Sequence, residues 1–84
     1  MQCFVYASQR KADTYLWLAE HDGFEVLPDA LNQLLGKLRF VMELVLDESR
    51  KLPVEDARQV LEHLRTQGWH LQLPPTDPAA TAGS

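Results

Sequence analysis

The sequence predicts an α+β fold, a two-layer sandwich in β-β-α-β-α-β order, with a four-stranded sheet carrying two helices on one face. Three observations lead there. Four short segments have strand composition, two others repeat apolar residues at helical spacing, and turn-forming residues separate them. The chain of 84 residues is 45% hydrophobic, which suits one small core and is too apolar for a disordered chain.

The first strand runs from Cys3 to Ala7, a stretch of apolar and aromatic residues. Turn-like residues Ser8 to Asp13 follow, and then a second strand from Thr14 to Glu20, so the pair is expected to form an antiparallel hairpin. His21-Asp22-Gly23 marks the next turn. Pro28 opens a helix whose stripe is Leu31, Leu34, Leu35 and Leu38; Asp29 suits its positive end and Gly36 stops it, leaving Leu38 to the exit.

Arg39 to Leu46 is an almost unbroken apolar run, the composition of a buried central strand, with a helix of that length the alternative. After the polar segment Asp47 to Lys51, Pro53 starts a second helix with the stripe Ala57, Val60, Leu61 and Leu64. Glu55 and Asp56 sit at its positive end, His63 and Arg65 near its negative end, and Gly68 just beyond. Trp69 to Leu73 alternates as a half-buried strand, with Trp69, Leu71 and Leu73 on one side and His70 and Gln72 on the other. Pro74-Pro75 ends it. Residues 1–75 thus make one domain, and 76–84, small, polar and Pro-bearing, read as a disordered tail.

Eight Lys and Arg against twelve Asp and Glu give a net charge of -4, which argues against a domain built to wrap nucleic acid. No segment approaches the roughly 18 consecutive apolar residues of a membrane helix. Met1 to Ser8 lacks a basic leader and runs into Gln9, Arg10 and Lys11, so a cytoplasmic location without membrane contact is expected. The lone Cys3 forms no internal disulfide and reads as a small core residue rather than a reactive thiol.

Three separated segments resemble the YcgL family of small bacterial proteins. They are Cys3-Phe4-Val5-Tyr6-Ala7-Ser8 with Thr14-Tyr15-Leu16, then Arg50-Lys51-Leu52, then Gly68-Trp69-His70-Leu71-Gln72-Leu73-Pro74-Pro75. Departures are Trp17 where the family often has Tyr, Trp69-His70 where it often has Tyr-Tyr, and Pro53 where Ala is common. The resemblance spans about residues 2 to 75 and implies a small cytoplasmic α/β domain of Gammaproteobacteria. It implies no activity, cofactor or catalytic residue. Family genes often lie near a ribonuclease D gene, so the resemblance makes RNA metabolism the alternative setting.

No chemistry stands out in the residues. His21, His63 and His70 lack metal-ligand spacing, the glycines are too scattered to cradle a phosphate, and the carboxylate pairs suit a loop and a helix start. No cofactor and no catalytic residue are expected, and the chain reads as a non-enzyme. Two features point to binding. Arg10-Lys11 and Arg50-Lys51 lie in loops, and if the fold joins them four cations form a patch for a phosphate or an acidic partner. If both helices cover the aliphatic side of the sheet, the other face shows Phe4, Tyr6, Tyr15, Trp17 and His70, with Glu43 at its margin.

Aromatic sheet faces bind proteins or stack single-stranded bases at about 1–3 kcal/mol per base. With this net charge the expected partner is another protein, and RNA is the alternative. The candidate surface is Tyr6, Tyr15, Trp17, His70, Arg10, Lys11, Arg50 and Lys51, on a monomer or weak homodimer.

Overall fold

In a computed structural model, which describes residues 1–52 and 55–74, β1 (Gln2–Ser8) and β2 (Tyr15–Leu18) pair as the expected antiparallel hairpin. The Ser8 N–H donates to Thr14 O at 3.0 Å, and Ser8 Oγ accepts from the N–H groups of Arg10 and Lys11. A single 3₁₀ turn at Phe24–Val26 follows, then α1 (Asp29–Leu35), β3 (Leu38–Val45), α2 (Ala57–Thr66) and β4 (Trp69–Gln72). The four strands make one antiparallel sheet in the order β3-β1-β2-β4. The α+β class, the element order and the strand count are as expected.

Helix α2 begins at Asp56, whose carboxylate accepts from the Arg58 N–H at 3.0 Å, an N-cap worth about 1 kcal/mol. The expected start at Pro53 falls outside the described residues, as does the 76–84 tail. The helix ends where Gly68 takes φ 86°, a left-handed turn that suits a residue without Cβ. The stripe Ala57, Val60, Leu61 and Leu64 is buried as its spacing predicts. In α1, Leu31 and Leu35 are buried while Leu34 is exposed, because a seven-residue helix turns only part of its stripe to the sheet.

The helices do not share one face. One core joins Cys3, Val5 and Trp17 to Leu46 and the α2 stripe. The other joins Phe4, Tyr6, Leu16 and Leu18 to Leu27 and to Leu31 and Leu35 of α1. Alternate residues of β1 and β2 therefore feed opposite cores, and the sheet lies between α2 and α1. The reason is that both parities of β1 are apolar: Cys3 and Val5 on one side, Phe4 and Tyr6 on the other. Each needs a cover, and each helix supplies one.

Strand β3 is not central. It forms the edge beside β1, and Phe40, Met42 and Val45 are 45%, 50% and 63% exposed. Its apolar run matches two-sided burial in composition alone. The register jumps from Val5↔Met42 to Tyr6↔Phe40, so Val41 is an extra residue, a β-bulge that bends the edge. Among the described residues no helix is long and apolar enough to cross a membrane.

Candidate functional site

The shared aromatic face does not form. Register pairs Val5 with Trp17 and Tyr6 with Leu16, so Tyr6 and Trp17 point to opposite sides of the sheet. Tyr6 is 2% exposed: its hydroxyl donates to Asp22 Oδ1 at 3.1 Å and accepts from the Asp22 N–H at 2.8 Å. Phe24 and Phe40 edge onto its ring, and His21 edges onto Phe4 and Phe40. Trp17 is 6% exposed and His70 5%. The phase of each strand is readable in its own alternation, but the relative phase of two strands is fixed by their pairing.

The basic loops also stay apart. The loop carrying Arg10 and Lys11 leaves the sheet where Ser8 pairs with Leu38, whereas Arg50-Lys51 follows the end where Gln2 pairs with Val45. Arg10 is turned toward α1: its Nη1 donates to Gln33 O at 2.6 Å and its stem lies against Gly36, where an added Cβ would stand 3.3 Å from it. Lys11 is exposed in the same loop.

What the fold does bring together is Tyr15, Trp17, Arg50 and Lys51. They line an open cavity of about 370 Å³ on the α2 side of the sheet, with Val5, Val41, Met42, Leu44, Leu52, Glu55 and Gln72. Strands supply an apolar floor, and the segment after β3 supplies a charged rim. Trp17 Nε1 donates to Gln72 Oε1 at 2.9 Å, so the indole N–H is already satisfied and the floor presents mainly hydrocarbon.

The rim is shaped by Asp47. Its Oδ1 accepts from the Ser49 N–H and hydroxyl at 2.9 and 2.6 Å, and its carbonyl accepts from the Arg50 N–H at 3.2 Å. The Ser49 hydroxyl foremost holds the Asp47 carboxyl below the usual carboxylate range. Arg50 Nη1 donates to Val45 O at 3.3 Å, which ties the guanidinium to the sheet edge. Lys51 is exposed, with no hydrogen-bond partner among the described residues. The bulge sets Val41 beside Met42 on this same face, so both flank the cavity.

Beside the cavity lies a second cluster. His70 of β4 and His63 of α2 stack with ring centroids 5.0 Å apart and Nδ1 atoms 2.7 Å apart. His70 Nε2 is 3.4 Å from Glu55 Oε1 without hydrogen-bond geometry, and it has no hydrogen-bond partner among the described residues. The tautomer with the His70 proton on Nε2 aims it at the carboxylate and leaves Nδ1 to accept from His63. Burial pushes the His70 pKa down; Glu55 opposes this and His63 adds to it. The tight turn at Gly68 makes these histidines neighbours, and a His in the last turn of a helix with another two residues past the glycine is the sequence signal for it.

Cys3 is fully buried, and burial raises its thiol pKa, as a core residue requires. Among the described residues no three His, Cys, Asp or Glu side chains are grouped to hold a metal ion. The cavity is chemically suited to hold an apolar group with an anionic end, through Arg50 and Lys51.

The sequence matches the YcgL domain over residues 3–75. It is 49% identical over 75 residues to a YcgL domain-containing protein of Thioalkalivibrio sulfidiphilus, covering 89% of this chain and 93% of that one. A YcgL domain-containing protein of Pseudomonas entomophila is 44% identical over 75 residues, covering 89% and 77% of the two chains. One from Xanthomonas euvesicatoria is 45% identical over 76 residues, covering 90% and 88%.

Proposed function

The chain belongs to the YcgL domain family, and from that premise we propose that it is a non-enzymatic module that binds another protein through the cavity beside β3. The observation that carries this reading is the union of an exposed apolar edge strand with a cation-rimmed apolar concavity. Exposed apolar area of this kind is costly to leave in water, and it is where proteins meet partners. A cytoplasmic setting accords with the unpaired, buried Cys3 thiol.

RNA association, the alternative, loses its stacking platform because Tyr6, Trp17 and His70 are buried. Affinity capture from native cytoplasm with the wild-type chain, Tyr15→Ala and Arg50→Ala tests the proposal. Loss of the same protein from both variants supports one shared site, and its retention by both rejects the cavity. Tight binding of single-stranded RNA at low salt, where cationic contacts are strongest, favours the alternative instead.

A further inference from the structure

We infer that the cavity takes the C-terminal residue of the partner chain, with an apolar side chain on its floor and the free α-carboxylate at Arg50 and Lys51. This rests on the interaction-module reading above and names the chemistry that the module recognises.

The volume of about 370 Å³ lies at the small end of the range of roughly 300–1,000 Å³ seen for ligand pockets. That is room for one large side chain and its adjoining main chain. The floor of Val5, Tyr15, Trp17, Met42 and Leu44 is apolar, and the Trp17 N–H is already taken by Gln72. Both cations line the cavity together with that floor, which places a ligand's anion beside its apolar body. A C-terminal Phe, Leu or Met carries both groups on one residue.

Electrostatics on the rim agree. Arg50 spends one guanidinium N–H on Val45 O and keeps others for a carboxylate, and Lys51 is exposed beside it. Glu55 also lines the cavity, but its Oε1 faces His70 Nε2 at 3.4 Å. Of the charged residues that line the cavity two are cations and one is an anion, so the lining itself is net positive in a chain of net charge -4.

The test is a titration of two N-acetylated tetrapeptides ending in Phe, one a free acid and one a C-terminal amide, into isotope-labelled protein followed by NMR. The acid should shift the amides of Val41, Met42, Lys51 and Leu52 and the Trp17 indole N–H. It should bind about tenfold tighter than the amide, the scale of one charge-assisted hydrogen bond. The double variant Arg50→Gln, Lys51→Gln should reduce the acid to the level of the amide and leave the amide unchanged. These side chains are exposed, and a dispersed spectrum establishes that the variant is folded.

Equal binding of acid and amide overturns the inference, as does the absence of shifts with either. N-acetylphenylalanine should bind about as tightly as the tetrapeptide, because the cavity has room for the terminal residue alone, and a much weaker affinity overturns that assignment. If neither peptide binds while Tyr15→Ala and Arg50→Ala still lose a common partner, the terminus falls and the interaction module stands. If the acid binds and no cellular partner depends on those residues, the module falls and the binding chemistry stands.

Discussion

His63 and His70 face each other Nδ1 to Nδ1 at 2.7 Å, joining the last turn of α2 to the edge strand β4. One nitrogen must donate and the other accept, so the contact exists only while at least one ring keeps a lone pair. Two imidazolium rings at this distance would repel.

Acid should therefore weaken the fold. Burial foremost sets the His70 pKa below the ordinary 6.5. Between that lowered value and 6.5 the unfolded chain binds more protons than the folded one, so stability is present above 6.5 and is lost as the pH falls through this window. Urea midpoints should decline from neutral pH to about 5.5, above the range where carboxylates titrate. His70→Gln retains a donor and an acceptor and should show a flatter profile. Equal slopes in the two proteins would remove His70 as the cause.

Gly68→Ala should cost about 1–2 kcal/mol, the price of a left-handed backbone for a residue with Cβ. An added Cβ would meet Val26 at 3.5 Å, an ordinary contact, so the strain is conformational. For a domain of this size each kcal/mol is about 4–8 °C in Tm, which differential scanning calorimetry resolves.

Tyr6→Phe removes the hydroxyl that bonds both the Asp22 side chain and its N–H. The loss should be about 1 kcal/mol, read from the urea midpoint with an unchanged denaturant slope. The segment from His21 to Leu27 should then exchange its amide hydrogens faster. No change in that segment would mean that Phe4, Phe24 and Phe40 hold it without the hydroxyl.

Cys3 should resist iodoacetamide in the native state and react once the chain is unfolded. The thiol is fully buried and its pKa is raised, so both access and thiolate fraction are low. Labelling at native rates comparable to those of a free thiol would contradict the packing of the α2-side core.

Self-association should rise with concentration and vanish in the double variant Phe40→Lys, Val45→Lys. Both residues are exposed on the edge strand, where lysine discourages pairing with another chain. Analytical ultracentrifugation over a concentration series reads the difference, and identical profiles would exonerate the edge.

Helix α2 was legible in its stripe and its Gly68 stop, local cues that agree; its Asp56 cap was not, because Pro53 offered an earlier start in the sequence. The position of β3 was not, since an apolar run such as Phe40-Val41-Met42 has one composition whether it lies inside the sheet or at its edge. The aromatic surface failed for a related reason. Tyr6 and Trp17 belong to strands whose relative phase depends on Val5 meeting Trp17, a contact between residues twelve apart in sequence. Of the candidate site, Tyr15, half-buried at the start of β2, and the exposed Arg50 and Lys51 were legible as an aromatic and a basic pair. Their meeting at one cavity depends on the path of the segment after β3, which no local pattern records.

The strand order β3-β1-β2-β4 also sets an order of assembly. The two central strands are the first two made and are joined by a short loop, so their pairing closes little chain and forms on the microsecond scale of hairpins. The outer strands can only be added to that template, β4 after α2 has folded back across it. Nucleation should therefore sit in the hairpin, with β4 docking late. Substitutions in Val5 and Leu16 would then slow folding, and those in Leu71 would chiefly hasten unfolding.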